Sequence, residues 1–444
     1  MKIGSVLGSP RGNRNLFRRT ASIFRRFGVT PHKMEAMLNR YVEITREFGC
    51  GPTFPITAVT LKRHPNLIKA LHERGAEFAI HGYIHVDHKP LSVEEQHAYF
   101  KKAVDIFRKC DIPFTGFRAP YLRSNTSTLA ALKRLGIAYD SSWVVHWDVV
   151  DKTMFEGKAW QDYSSLLDFY SAQKSDSCLV LPIYRNGMLV IPVSIPDDEA
   201  MVGRLGIRDK AEIARIWQTV FRQTHSRGDL FTVQLHHERV PYCETALRTL
   251  LQETKSCDPP VWIATLGEIA EWWEEKQAFT FDISPLRAGS WSVKVHCTDR
   301  ATVLVRRCTT DQPYVDWADD YRCVEAREFV VECLGRPCVG VAPGTAQEAI
   351  SFLESEGYLV EATTRPQDYS LYFDHLAAFD ESGRKRLSET IESSDASLVR
   401  FWRWPHGARS ALSITGDVDS ITLIDFFMRV FEVWRQRLAS RNHM

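Results

Sequence analysis

Residues 77–85 read EFAIHGYIH, and this stretch decides the fold. Glu77 to Ile80 is a short run with strand character, and His81 and His85 follow at once, so both imidazoles are expected in a loop at the carboxyl end of a strand. Parallel α/β folds build their sites at that rim, where loops converge over rigid strands. Two histidines four apart can close on one metal ion, and neutral imidazole is the commonest nitrogen ligand for zinc. Surface or core histidines give the same spacing, and His88, three further on, leaves open which pair binds.

Outward from this stretch the chain alternates helical periodicity with short apolar runs from about residue 35 to 275, the pattern of strand and helix units around a parallel sheet or barrel. Helices are predicted over Lys33–Phe48, Asn66–Arg74, Val93–Lys109, Thr126–Leu135, Asp209–Ser226 and Leu266–Glu275. Strands are predicted over Pro52–Val59, Glu77–Ile80, Phe114–Phe117, Ile137–Tyr139, Met188–Pro192 and Leu230–Leu235. Near residue 278 the texture changes: Trp291–Val295 and Ala301–Arg306 alternate like antiparallel strands. Pro337–Thr363 then reads as strand, loop, helix and strand. Its loop Ala342–Thr345 lacks the glycines and lysine of a phosphate loop, so a plain connection is expected. The tail opens with Trp404-Pro-His-Gly407, continues as an apolar strand Ala411–Thr415 and Gly416-Asp-Val-Asp419, and enters a helix from Ile421, which is how a domain begins.

At 444 residues the chain is longer than one hydrophobic core usually supports, so a catalytic domain plus an accessory domain is expected. A net charge of +1 supplies no field to recruit nucleic acid or anionic membrane, and specificity must come from a local site. Arginines cluster at 11, 14, 18, 19, 25 and 26 near the N-terminus, yet no apolar stretch there is long enough for a signal-peptide core or a membrane helix. Ten cysteines lie scattered without a CxxC pair, as expected of reduced thiols in a cytoplasmic protein.

Three more motifs end strands. Phe117-Arg118-Ala-Pro-Tyr121 puts a permanent cation at the rim, able to grip a carboxylate with two hydrogen bonds, though an arginine capping a sheet edge reads the same way. Phe231-Thr-Val-Gln-Leu-His236-His237 delivers a histidine able to give a proton to a leaving amine, or a structural one. Asp417-Val-Asp419 sets two carboxylates at a strand end, where one can bind metal and the other take a proton from water; a helix N-cap is the simpler reading of that motif alone.

Taken together, His81-Gly-Tyr-Ile-His85, Arg118-Ala-Pro-Tyr121, Val233-Gln-Leu-His236 and Asp417-Val-Asp419 resemble the motifs of the polysaccharide deacetylases (NodB homology), in the branch with Asp-x-Asp in its first motif. The segment Leu189–Asp198 resembles a later part of the family. The likeness covers about residues 30–275 and 400–444. It departs in order, because the family places its Asp motif ahead of the histidines. The resemblance therefore implies a distorted (β/α) barrel, circularly permuted, with its main part in residues 1–278, an inserted β-rich then α/β accessory domain in 279–400, and a first strand and helix returned by 401–444. That strand would come from the same chain or, in a homo-oligomer, from a neighbouring subunit. The resemblance also implies that Asp419, His81 and His85 hold a divalent metal, with Zn2+ the ion expected, that Asp417 held by Arg118 is the base, that the Tyr121 backbone N–H helps bind an oxyanion and that His236 is the acid. Asp140 and Asp148, both near tryptophans, partly fit the carboxylate that supports the acid, and neither is assigned. The implied substrate is an N-acetylated sugar or glycan; the rivals are an allantoinase-like amidohydrolase and a non-catalytic carbohydrate-binding protein on the same scaffold.

Overall fold

The computed structural model describes residues 30–155, 157–376 and 380–441, with the side chains of 430 and 434–441 excepted. The arginines at 11, 14, 18, 19, 25 and 26 lie outside the described residues.

A ten-stranded sheet forms the framework, and all but one of its pairings are parallel. Its strands are β1 (Thr53–Ile56), β2 (Glu77–Ile80), β3 (Gly116–Phe117), β4 (Tyr139–His146), β5 (Gln173–Lys174), β6 (Ile183–Arg185), β7 (Met188–Ile195), β8 (Leu230–Gln234) and β9 (Val261–Ile263), completed by a strand from the C-terminal region. Their main path runs β6-β7-β4-β3-β2-β1, then the C-terminal strand, then β8. Only the β6–β7 hairpin is antiparallel. The sheet curls until β7 and β8 stand side by side, which makes a distorted barrel with an unladdered seam. Strands β4, β7 and β8 are buried almost throughout, as strands covered on both faces must be, and so read as apolar runs rather than as alternation.

Beyond the barrel the strands are β10 (Thr280–Arg287), β11 (Ser290–His296), β12 (Val303–Arg306), β13 (Thr309–Thr310), β14 (Tyr314–Asp316), β15 (Tyr321–Val324), β16 (Glu328–Glu332), β17 (Arg336–Val341), β18 (Val360–Ala362), β19 (Tyr369–Phe373) and β20 (Leu398–Phe401). They build antiparallel sheets β10-β11-β16-β13 and β14-β15-β12-β20 and a parallel sheet β18-β17-β19, the last served by helices Gln347–Ser355 and Glu381–Glu392. The Ala342–Thr345 loop is a turn closed by Thr345 N donating to Ala342 O, consistent with a plain connection. One apolar cluster runs from the barrel floor (Ala79, Tyr139, Trp272, Trp273) into this module (Val293, Val303, Phe401) through Trp404, whose ring lies 5.1 Å from that of Trp273.

The decisive element is β21 (Ser410–Thr415). It lies parallel to β8 along Ala411↔Leu230 through Thr415↔Gln234, meets β1 at Thr53↔Thr415, and carries β9 alongside. The last described segment thus fills the slot between β1 and β8 within one chain.

Several element boundaries differ from expectation. The strand expected over Pro52–Val59 stops at Ile56, because Ala58–Arg63 forms a short helix whose first N–H groups take the Gly82 and Tyr83 carbonyls. The strand expected over Ile137–Tyr139 begins at Tyr139 and runs to His146, and the one expected from Phe114 is only Gly116–Phe117. Helices Lys158–Tyr170 and Val240–Thr254 were not foreseen. Among the described residues no helix is long and apolar enough to cross a membrane.

Candidate metal centre and active site

β1, β2, β3, β8 and β21 all point their carboxyl ends at one rim, and the sequence motifs sit there. β2 ends at Ile80, and the His81 N–H donates to Ile56 O at 2.9 Å, so the ladder holds the backbone of the first histidine. Gly82 adopts φ +77°, and a Cβ there would stand 2.8 Å from His88 Cε1, so the loop needs glycine to turn His85 back over the rim. On the opposite side Val418 N donates to Pro55 O at 2.8 Å and Thr60 Oγ1 to Asp419 O at 2.9 Å, which ties the Asp417–Asp419 loop to the end of β1.

His81 Nε2 lies 3.4 Å from Asp419 Oδ1, and His85 Nε2 lies 3.4 Å from Asp419 Oδ2. One ligand atom from each of the three residues falls within 4.8 Å of the others. Their protonation can be read from their partners. His81 Nδ1 is 2.8 Å from the Arg118 carbonyl, which can only accept, so Nδ1 carries the proton and Nε2 presents a lone pair. Nε2 and Asp419 Oδ1 are both buried and neither has a hydrogen-bond partner. Two acceptors facing each other with no proton between them are repulsive unless a cation joins them, so this trio fits a metal ion. Burial drives His85 well below its ordinary pKa, leaving it neutral as a ligand must be. Burial alone would raise Asp419, yet the attraction of the facing groups, among them the Arg429 cation, outweighs it and holds Asp419 well below the usual carboxylate range. Arg429, on helix Leu423–Arg441, donates to Asp419 Oδ2 at 3.2 Å.

Asp417 faces the same space, its Oδ2 3.8 Å from His81 Nε2. Arg118 Nη1 donates to its Oδ1 and Gln234 Nε2 to its Oδ2, each at 3.0 Å. Arg118 is fully buried; it also donates to Thr415 Oγ1 at 2.9 Å, the Ser141 carbonyl at 2.9 Å and Ser141 Oγ at 3.0 Å. Its fork is therefore clamped by β21 and β4 at once, so Asp417 cannot swing.

Across the seam, His236 Nδ1 lies 2.9 Å and 3.1 Å from the two oxygens of Asp198, which is fully buried and also paired with Arg239 Nε at 3.2 Å. Burial would lower His236, but the Asp198 charge and hydrogen bond overcome it and raise it well above the ordinary histidine value. Tyr121 sits in the left-handed region at φ 61°, and its ring lies edge-on to His85 at 4.3 Å.

Asp417, Asp419, His81, His85, Arg118, Tyr121 and His236 are thus brought to one rim. His88 is not among the clustered ligands: it is buried between Tyr99 and Phe100, at 4.7 Å and 5.0 Å, and burial pushes its pKa down to about 3. Neither Asp140 nor Asp148 supports His236. Asp140 is sequestered with Ser142 inside β4 and Asp148 is exposed, because the seam puts the end of β7, not β4, beside β8. Asp198 lies in a segment already singled out, and only the closure of the sheet assigns it. Gln234 had a sequence trace, as the one amide in a strand whose other residues are apolar but for Thr232. Arg429 had none.

Residues 27–139 match the family model described as polysaccharide deacetylase. The peptidoglycan deacetylase-like protein FGM2 of Gibberella zeae is 33% identical over 95 residues, which are 21% of this chain, and the chain spans 28% of that relative's length. Among solved structures, the Puue allantoinase is 16% identical, with 55% of this chain and 74% of that one covered and a TM-score of 0.43. A family 4 carbohydrate esterase from Streptomyces lividans, in complex with acetate, is 16% identical, with 43% and 82% covered and a TM-score of 0.25. Residues 27–139 are thus the part of this chain that is similar to the polysaccharide deacetylases.

Proposed function

We propose that the chain is a metal-dependent hydrolase that removes N-acetyl groups from an amino-sugar-containing substrate. The observation that carries this reading is Asp417, a carboxylate fixed by Arg118 and Gln234 at 3.0 Å each beside three residues able to hold a cation. His81, His85 and Asp419 would hold the metal, and two imidazoles with one carboxylate suit zinc. When bound, the metal supplies Lewis acidity and makes water a better nucleophile near neutral pH. Asp417 accepts the proton of the attacking water, and its two donors, Arg118 and Gln234, hold it aimed. The Tyr121 backbone N–H helps bind the developing oxyanion. His236, kept protonated by Asp198, gives its proton to the departing amine, and acetate and a free amine result.

On the same reading the barrel comprises residues 1–278 with 401–444 returning its first strand, a circular permutation, and 279–400 is an inserted accessory domain. The pairing of β21 with β1 and β8 in the same chain favours completion in cis over exchange with a neighbour. Ten free thiols suit a reducing, cytoplasmic setting.

Acetate release from N-acetylated oligosaccharides, followed alongside zinc content, tests the assignment. The expected result is acetate from the zinc-loaded protein and none from Asp419→Ala, which also loses its zinc. Hydrolysis confined to small cyclic amides, or full zinc retention by Asp419→Ala, defeats it.

A further inference from the structure

Asp229 immediately precedes β8, at the end of that strand opposite Gln234 and His236. A strand of that length separates its two ends by roughly 15 Å, so Asp229 is remote from the metal-binding trio. It is 1% exposed, and its Oδ1 has no hydrogen-bond partner. It lines a cavity of about 490 Å3 where the barrel floor meets the β-rich module, with Tyr321 and Trp402 also in the wall. Cations line the same cavity, but each is engaged elsewhere. Arg403 Nε donates to Glu356 at 2.8 Å, Arg227 Nη2 to Asp176 at 2.9 Å, and Lys385 Nζ stands 3.5 Å from Glu389. A buried carboxylate oxygen without a hydrogen bond is costly, and folding has left Asp229 Oδ1 in that position, while Arg403, Arg227 and Lys385, whose charges act on it, donate their hydrogen bonds or pair elsewhere.

We propose that this cavity binds a sugar-sized ligand carrying a protonated primary amine, with Asp229 as its counter-ion and Tyr321 and Trp402 as its aromatic wall. The choice of amine rests on the deacetylase reading: that reaction converts a neutral acetamide into an ammonium, so an amino sugar is what it supplies. Acetylated nitrogen carries no charge to meet Asp229, so the site separates product from substrate.

The test is calorimetric titration of the full-length protein at pH 7 with glucosamine, N-acetylglucosamine and glucose. Glucosamine is expected to bind at least about tenfold more tightly than either neutral sugar, and Asp229→Asn to remove that preference. Binding that persists in Asp419→Ala separates the site from the metal centre. Should Asp229→Asn not fold, the selectivity of the wild-type protein decides. Equal binding of the three sugars, no glucosamine binding, or undiminished preference in folded Asp229→Asn each overturns the proposal. The two readings fail separately. Acetate release without glucosamine binding defeats only this site, whereas an Asp229-dependent preference for glucosamine without acetate release supports the site and defeats the deacetylase.

Discussion

Arg118 donates a 3.0 Å hydrogen bond to Asp417 across 299 positions of sequence, and both residues are buried. Removing one partner of such a pair leaves the other charge without compensation, which typically costs about 3–5 kcal/mol. Arg118→Met is therefore expected to lower unfolding free energy by that order in urea titrations, and Arg118→Met with Asp417→Asn to recover part of it. Additive losses would mean the two residues are not energetically coupled.

Asp417 and Asp419 are expected to separate by phenotype. Asp417→Asn keeps the shape of the site and, through its Oδ1, the hydrogen bond from Arg118, so it should retain zinc while acetate release falls by about a hundredfold or more. Zinc content by atomic absorption and acetate by coupled assay read the two effects independently. Loss of zinc from Asp417→Asn would move that residue from base to ligand.

The Asp198–His236 pair predicts a pH response. Because the folded pKa of His236 is raised above its ordinary 6.5, the pairing stabilises the protein below that pH, and this contribution fades as pH rises through the raised value. The same shift keeps the proposed acid protonated in mildly alkaline solution. In Asp198→Asn the imidazole loses its charged partner, and the alkaline limb of the acetate-release profile should move to lower pH by about one unit or more. An unmoved limb would exclude His236 as the titrating acid.

Gly82→Ala places a methyl group 2.8 Å from His88 Cε1 and asks an L-residue to hold φ +77°. Strain of this kind costs about 1–3 kcal/mol. The expected outcome is a lower urea midpoint together with weaker zinc binding, since the same turn aims His85. Unchanged zinc affinity in a folded Gly82→Ala would show that the turn does not set the ligand.

Ending the chain at residue 401 removes β21, which lies between β1 and β8. Two buried strands would then lose their shared neighbour and leave their backbone N–H and C=O groups unpaired. We expect no cooperative thermal transition from this truncation, measured by calorimetry. A sharp transition near that of the full chain would show the barrel to be complete without its tail.

The sequence by itself determined the local elements and the chemistry they carry. Glu77–Ile80 reads as a strand and His81 and His85 as its loop, because strand propensity, turn glycine and ligand spacing are properties of neighbouring residues. Arg118, His236, Asp417 and Asp419 were legible for the same reason, each closing an apolar run. Only the tertiary structure decided which of these meet and which stand apart: that Asp198, not Asp140 or Asp148, faces His236, that His88 is walled into the core, and that Arg429 reaches Asp419. Those outcomes follow from how the sheet curls and where β21 inserts, and hydrogen-bonded register between strands hundreds of residues apart leaves no periodicity in the chain to read.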